Sequence, residues 1–452
     1  MLNLNTEATK QMKAVVDFIC DTRYEDVPPA AIENAKGRIL DGLGVTINGV
    51  TDAVGKIVKD FITDFHGQPQ ATVICTGLKA DCLYAAFANG TVMHATDFDD
   101  IYMLSHSTTC VLPAALAVGE MMNASGKELL MGYIIGNEVY TKLQQCTSTE
   151  PWYRGFHGTS IWGSIAAAAA AARMLKLDKE KTCRAIGTSC SCFGGIKRNQ
   201  GTMTKPFHAG YSAENGVKAA LMAKYGLESH PEALEGKFSF TKIFSSAPNY
   251  EHIQKLGKEW DLVTMPPWIK PHPNCGSTHA AMGGMLELIN KYDIKEEDVE
   301  LVEVGMTQAG IDALFYEEPK DAYQAKFSMQ FAMALLLHTR KWGLKMHSEE
   351  IVQDPAIRAL FKKVRFYQHE GLQKELPPDK GQFRAQLDVT MKDGTHYSLC
   401  PGLPDLSYAQ IKDKFMQCAE GILSEEAAEK VADDVWRLES LGTLTDMMAL
   451  MA

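Results

Sequence analysis

From the start of the chain to about residue 265, apolar residues return every three to four positions, the period of a helix packed on one side. In the segment opened by Pro28 and Pro29, Ala31, Ala35, Ile39 and Leu43 fall on one helical stripe, and proline suits a first turn whose N–H has no partner anyway. Seven consecutive alanines, Ala166 to Ala172, are flanked by Ile161, Trp162 and Ile165 on one side and by Met174 and Leu175 on the other. Alanine has the highest helix propensity and lets neighbouring helices approach closely, so a buried central helix is predicted over 160–177. After Met265-Pro266-Pro267 the period shortens to two, and strands are predicted over 300–306, 363–368 and 386–390. Asp393-Gly394 predicts a tight hairpin, and one amphipathic helix, 327–337, is expected among the strands. From Ser407 the helical spacing returns, through Ile411, Phe415, Cys418 and Ile422 and then Ala428, Val431 and Val435.

At 452 residues the chain exceeds what one hydrophobic core usually supports. The predicted architecture is mainly α with an α+β lid: a large all-helical domain (1–265 and 399–452) and a smaller α+β domain (266–398) inserted before the C-terminal helices. Those last helices are expected to pack back on the first domain. A net charge of −11 argues against nucleic acid, which needs a basic face, but not against a small anion held in a locally basic pocket. No run of eighteen apolar residues predicts a membrane helix, and Met1 to Glu7 shows no basic segment leading into an apolar one. Eleven scattered cysteines, without paired CxxC sets, suggest reduced thiols in the cytoplasm rather than disulfides, structural zinc or an iron–sulfur cluster.

Four segments carry candidate chemistry. In 89–100, Asp97, Asp99 and Asp100 crowd beside His94; like charges this close raise a pKa, whereas the same pattern in a solvated loop would be inert. The calcium-loop glycine and distal glutamate are missing there. His106 precedes a predicted helix, and His157, between Gly155 and Gly158, stands at the start of the alanine helix, where backbone N–H groups meet anions. Lys205 lies between Thr204 and Pro206 with His208 three residues on, and Lys270 lies in a proline-stiffened loop with His272 and His279. Singly, each histidine suits a structural role as well. Together, two lysines, several histidines and carboxylates on rigid loops suit a polycarboxylate ligand.

The segments NGTVMHATDFDD (89–100), GFHGTS (155–160), TKPFHAGYSAENGV (204–217), IKPHPNCGSTHA (269–280) and AKFSMQFAMA (325–334) resemble, in order and over most of the chain, the MmgE/PrpD family. That family includes 2-methylcitrate dehydratase, cis-aconitate decarboxylase and iminodisuccinate epimerase. The resemblance implies a helical domain with an α+β lid, a homodimer, a site between the domains, and chemistry without metal or organic cofactor. Carried over by motif, the pocket residues are Asp97, His106, His157, Lys205 and Lys270, with Tyr316 a candidate for the lining. His106 would be the general acid/base, Asp97 would orient it or hold its charge, Lys205 and Lys270 would clamp carboxylates, and His157 would assist. The threonine that decarboxylase-like members carry four positions after the first aspartate is Ile101 here, the loop from Asp97 to His106 is about one residue short, and Ser107 follows His106 where the family usually has proline. The implied activity is a lyase dehydrating or decarboxylating a citrate- or aconitate-like acid. The alternatives are an isomerase that epimerises an iminodisuccinate-like dicarboxylate and a non-catalytic carboxylate-binding protein.

Overall fold

The computed structural model describes residues 8–344, 346–375 and 383–452; Met1 to Glu7, where a leader was sought, lie outside the described residues. The chain divides into two compact units. One comprises Met1–Arg198, Thr204–Ile269 and Ser407–Ala452, the other Asn199–Met203 and Lys270–Leu406.

The first unit opens with α1 (Lys10–Asp21), α2 (Pro29–Gly49) and α3 (Ala53–Phe65), followed by the hairpin β1 (Ala71–Val73) and β2 (Leu78–Ala80). It continues with α4 (Cys82–Met93), α5 (Thr108–Met121), α6 (Gly126–Thr147), the short α7 (Glu150–Tyr153), α8 (Gly158–Met174), α9 (Lys179–Ser189) and α10 (Thr204–Lys224). The stripe Ala31, Ala35, Ile39 and Leu43 is fully buried on α2, and the predicted alanine helix is α8, with Ala166 to Ala172 sealed from solvent. The hairpin was not foreseen, since three-residue strands are too short for a period of two to register. The C-terminal helix Tyr408–Ala419 does return to the helical unit: Phe415 packs against Gly44 of α2 and is fully buried. Among the described residues no helix is long and apolar enough to cross a membrane, and the eleven cysteines are free thiols.

Small residues decide how closely these helices cross. A Cβ on Gly210 of α10 would lie 2.1 Å from Thr91 Oγ1 and 2.2 Å from the Phe87 carbonyl oxygen of α4, and one on Gly90 would lie 3.0 Å from the Gly210 Cα. Glycine against glycine therefore sets the α4–α10 distance, and it brings the end of α4 to the start of α10. That contact places the site.

In the second unit a four-stranded sheet runs in the order β4 (Val364–Gln368), β3 (Val299–Met306), β5 (Ala385–Met391), β6 (His396–Leu399). β3 pairs parallel to β4 and antiparallel to β5, and β5–β6 is the predicted hairpin, with Gly394 at φ +88°. Along β5 buried and part-exposed residues alternate, the pattern of a sheet covered on one face. The helices His279–Tyr292 and Met329–Thr339 cover it. The second of these is the predicted 327–337 helix, but it is not amphipathic: Met329 to Leu337 is buried on every side. An all-round apolar helix belongs in a core rather than on a surface.

Candidate active site

The α4 helix ends at Met93, and His94 caps it. The chain then turns through Asp97, whose φ of +53° lies in the left-handed region that aspartate tolerates better than most residues. This loop is buried except at Thr96, which is half-buried. Asp97 is 3% exposed and Asp99 and Asp100 are fully enclosed, which removes the reading of a solvated acidic loop. Lys205, in the first turn of α10, reaches into it. Its ammonium donates to Asp97 Oδ1 at 2.8 Å and to His94 Nε2 at 2.8 Å. Because Nε2 accepts from an ammonium, the ring proton of His94 sits on Nδ1, which lies 2.8 Å from Asp99 Oδ1.

Asp99 Oδ2 lies 2.6 Å from His106 Nδ1, an ion contact whose angle is too bent for a second aligned hydrogen bond; the acceptor aligned with Nδ1 is the Asp100 carbonyl oxygen at 2.8 Å. With Nδ1 protonated toward these two oxygens, Nε2 is the ring nitrogen that could exchange a proton. Asp97 was expected to orient His106. The carboxylate in contact with His106 Nδ1 is that of Asp99, and Asp97 accepts from Lys205.

His157 caps the N-terminus of α8, stacked on His94 with ring centroids 5.9 Å apart, and its Nδ1 lies 3.0 Å from Nδ1 of His208. One of those two nitrogens donates and the other accepts. Gly158 permits the approach of the preceding loop, since a Cβ there would lie 3.0 Å from Ser105 Cβ and 2.7 Å from the Trp162 ring.

The electrostatics follow from burial around one lysine. Burial pushes His94 down to about 3, with Lys205 and His106 adding to it against the pull of Asp99. It holds His157 well below the imidazole range, His208 and Lys205 contributing, and lowers His208 to about 4 with Lys205 beside it. These three rings are neutral at pH 7. Burial alone would raise the Asp99 carboxyl, but His94 and His106 outweigh it and hold it well below the carboxylate range. Asp100 goes the other way: burial, reinforced by Asp41 and Asp99 and opposed by the Thr108 hydroxyl, raises it to about 7. Behind the loop, Lys414 of the C-terminal helix pairs with Asp41 at 2.6 Å and donates to the Phe98 carbonyl oxygen at 2.7 Å, clamping the loop from below.

The structure thus gathers Asp97, His106, His157 and Lys205 into one cluster. Lys270, fully buried, and Tyr316, which donates to the Gln200 carbonyl oxygen at 3.1 Å, belong to the second unit. His279 braces the Lys270 loop, its two ring nitrogens each 3.0 Å from a backbone carbonyl oxygen, of Cys275 and of His272. His94, Asp99 and His208 were quoted within motifs but given no role. For His208 a signal existed, because i and i+3 share a helix face. Nothing in the spacing distinguished Asp99 from its two neighbours. Ile101 is buried and its backbone pairs with Trp268 at 2.9 and 2.7 Å.

Ligand atoms of His94, Asp97, Asp99 and His106 lie within 4.8 Å of one another, a spacing that would suit a metal ion. Lys205 already donates to two of the four, so an ion there would have to displace it. We read the group as a hydrogen-bonded cluster around an ammonium. A cleft of about 660 Å³ elsewhere in the helical unit is lined by Arg23, Lys127, Arg173 and Lys176, but those cations are committed. Arg173 donates to carbonyl oxygens of Ile19, Cys20 and Thr22, and the others pair with Asp26, Glu25 and Glu128.

Residues 13–253 match the MmgE/PrpD N-terminal domain and residues 272–438 the MmgE/PrpD C-terminal domain. Similar proteins include the cis-aconitate decarboxylase of Homo sapiens, 26% identical over 431 residues that cover 91% of this chain and 88% of that one. The cis-aconitate decarboxylase of Aspergillus terreus is 24% identical over 462 residues (94% and 93%). The 2-methylcitrate dehydratase of Salmonella typhimurium is 22% identical over 421 residues (88% and 85%).

Proposed function

The chain belongs to the MmgE/PrpD family, and from that premise we propose that it is a lyase that dehydrates or decarboxylates a small di- or tricarboxylate of the citrate or aconitate kind. The observation that carries this is a buried ammonium, Lys205, in one hydrogen-bonded cluster with an imidazole, His106, whose Nδ1 is anchored. Breaking a bond beside a carboxylate places negative charge on that carboxylate as an enolate forms. A fixed cation aimed at it lowers the barrier, and removing such a group costs about 10²–10³ in rate. Lys205 is assigned to this carboxylate, and Lys270 and Tyr316 are assigned to substrate binding on the motifs in which they stand.

His106 moves the proton through Nε2. In dehydration neutral Nε2 takes the proton from the carbon beside the carboxylate and then, as Nε2–H, gives it to the departing hydroxyl, which leaves as water while the C–H electron pair forms the double bond; in decarboxylation carbon dioxide leaves its electron pair in an enolate, which Nε2–H protonates at carbon. His157, neutral, is assigned to hydrogen bonding of the substrate. Side chains alone supply these steps.

The test is proton NMR in deuterium oxide with cis-aconitate and 2-methylcitrate. Loss of carbon dioxide or water at a rate that falls about 10²-fold or more in Lys205→Ala and His106→Gln supports the reading. Exchange and inversion at one carbon would make the chain an isomerase, and binding without turnover a carboxylate-binding protein.

We further propose a homodimer. Ile57, Phe61 and Phe65 of α3 and Phe207 and Tyr211 of α10 are 36–57% exposed, and edge-on ring contacts through Phe87 join the two helices. An aromatic face of this kind suits a second copy of the chain. Phe61→Glu is expected to halve the mass measured by light scattering. Free thiols suit a reducing compartment, and we assign the protein to the cytoplasm.

A further inference from the structure

We propose that Asp99 and His94 are positioning residues for the reaction assigned above: Asp99 fixes His106 as an acid/base working through Nε2, and His94 is the spacer that keeps Asp99 and Lys205 in register. The inference rests on that functional reading but concerns residues to which it gives no task.

The contacts form one unbroken chain. Asp97 accepts from Lys205, Lys205 donates to His94 Nε2, His94 Nδ1 donates to Asp99 Oδ1, and Asp99 Oδ2 meets His106 Nδ1. Each link fixes the next. The ammonium can only donate, so His94 has one tautomer; that tautomer orients the Asp99 carboxylate, and the carboxylate holds the Nδ1 side of His106. Both ring nitrogens of His94 and both carboxylate oxygens of Asp99 are taken up by contacts to protein groups. They act through their neighbours.

Other groups face His106 as well. Asp100 belongs to the same loop, His94 stands at 4.4 Å between ring centroids, and His157, Lys205 and the Cys110 thiol come from α8, α10 and α5. Of these, the ionised Asp99 is the one whose charge touches the ring. Asp97 pairs directly with Lys205, whereas Asp99 reaches that ammonium only through His94, so its charge falls on the His94 and His106 rings. Unbalanced charge at this depth is expensive.

The titration and tautomer readouts need no substrate, so their failure is distinguishable from failure of the lyase assignment. In the full chain labelled with ¹⁵N-histidine, the His106 ring is identified by comparison with His106→Asn and followed against pH. The expected result is an Nδ1-protonated ring whose titration midpoint falls by about 1 pH unit or more in Asp99→Asn, the usual effect of losing a contacting opposite charge.

A second pair of variants serves if Asp99→Asn does not fold. Glutamine can accept from Lys205 and donate to Asp99 through one amide, so His94→Gln should keep the His106 tautomer. His94→Leu should lose it, with kcat reduced about 10-fold or more relative to His94→Gln. An unmoved midpoint in folded Asp99→Asn, or the same tautomer and kcat in the glutamine and leucine variants, overturns the proposal.

Discussion

Asp100 offers a sharp test of how burial sets charge in this loop. One carboxyl oxygen accepts from the Thr108 hydroxyl at 2.6 Å and the other has no hydrogen-bond partner among the described residues. Enclosure raises its pKa from 3.8 to about 7 in the folded chain. A group raised in this way contributes stability that is complete below about pH 4 and is lost as pH climbs toward 7, because the unfolded chain ionises while the folded one keeps its proton. Each pH unit in that window costs about 1.4 kcal/mol, so between pH 5 and pH 8 the wild type loses about 3 kcal/mol that Asp100→Asn, which cannot ionise, does not lose. For a helical unit of roughly 300 residues, 1 kcal/mol is worth about 1.5 °C in Tm. The assay is thermal unfolding of both proteins at pH 5, 6, 7 and 8. Their difference in Tm should move by about 4 °C in favour of the asparagine variant as pH rises, other groups cancelling between the two proteins. A difference that stays constant within about 1 °C would show that Asp100 is ionised in the folded chain, and would refute the assignment of a buried neutral acid.

Further outcomes are expected. Lys414→Met strands the Asp41 carboxylate against the site loop and should destabilise the chain by about 3–5 kcal/mol in thermal or denaturant unfolding, with most of the loss recovered by adding Asp41→Asn. Gly210→Ala forces a methyl onto the Phe87 carbonyl oxygen at 2.2 Å, so α4 and α10 must separate; kcat should fall more than Tm, because Lys205 and His94 part first. His208 is already neutral above about pH 4, and His208→Asn should leave the acid limb of the kcat profile where it stands, although kcat itself can drop; a shifted limb would make His208 the titrating base. Dialysis against a chelator should leave turnover unchanged, since Lys205 provides the positive charge among His94, Asp97 and Asp99; activity lost and restored by a divalent metal would overturn that reading.

Much of this was legible in the chain. The alanine run and the stripe on α2 announced buried helices because helical period and apolar composition agree locally, and Asp393-Gly394 announced its hairpin because only certain residues accept that turn. The motifs around Asp97, His106, His157 and Lys205 announced which side chains could share a site, and these four do cluster. Less was legible where neighbours decide. The helix Met329–Thr339 carries an ordinary apolar sequence, and whether one face or every face is covered depends on what packs around it.

The same division holds at the site. Sequence by itself determined which side chains were available and that their segments belong to one family, because composition and motif order are properties of the chain. Which carboxylate meets which cation was decided by the tertiary structure. Asp97 and Asp99 are chemically identical and two residues apart, and the left-handed turn at Asp97, with the glycine crossing of α4 and α10, sends one to Lys205 and the other to His94 and His106. Hydrogen bonds act over about 3 Å and depend on direction, so partners distant along the chain are chosen only when the helices have packed.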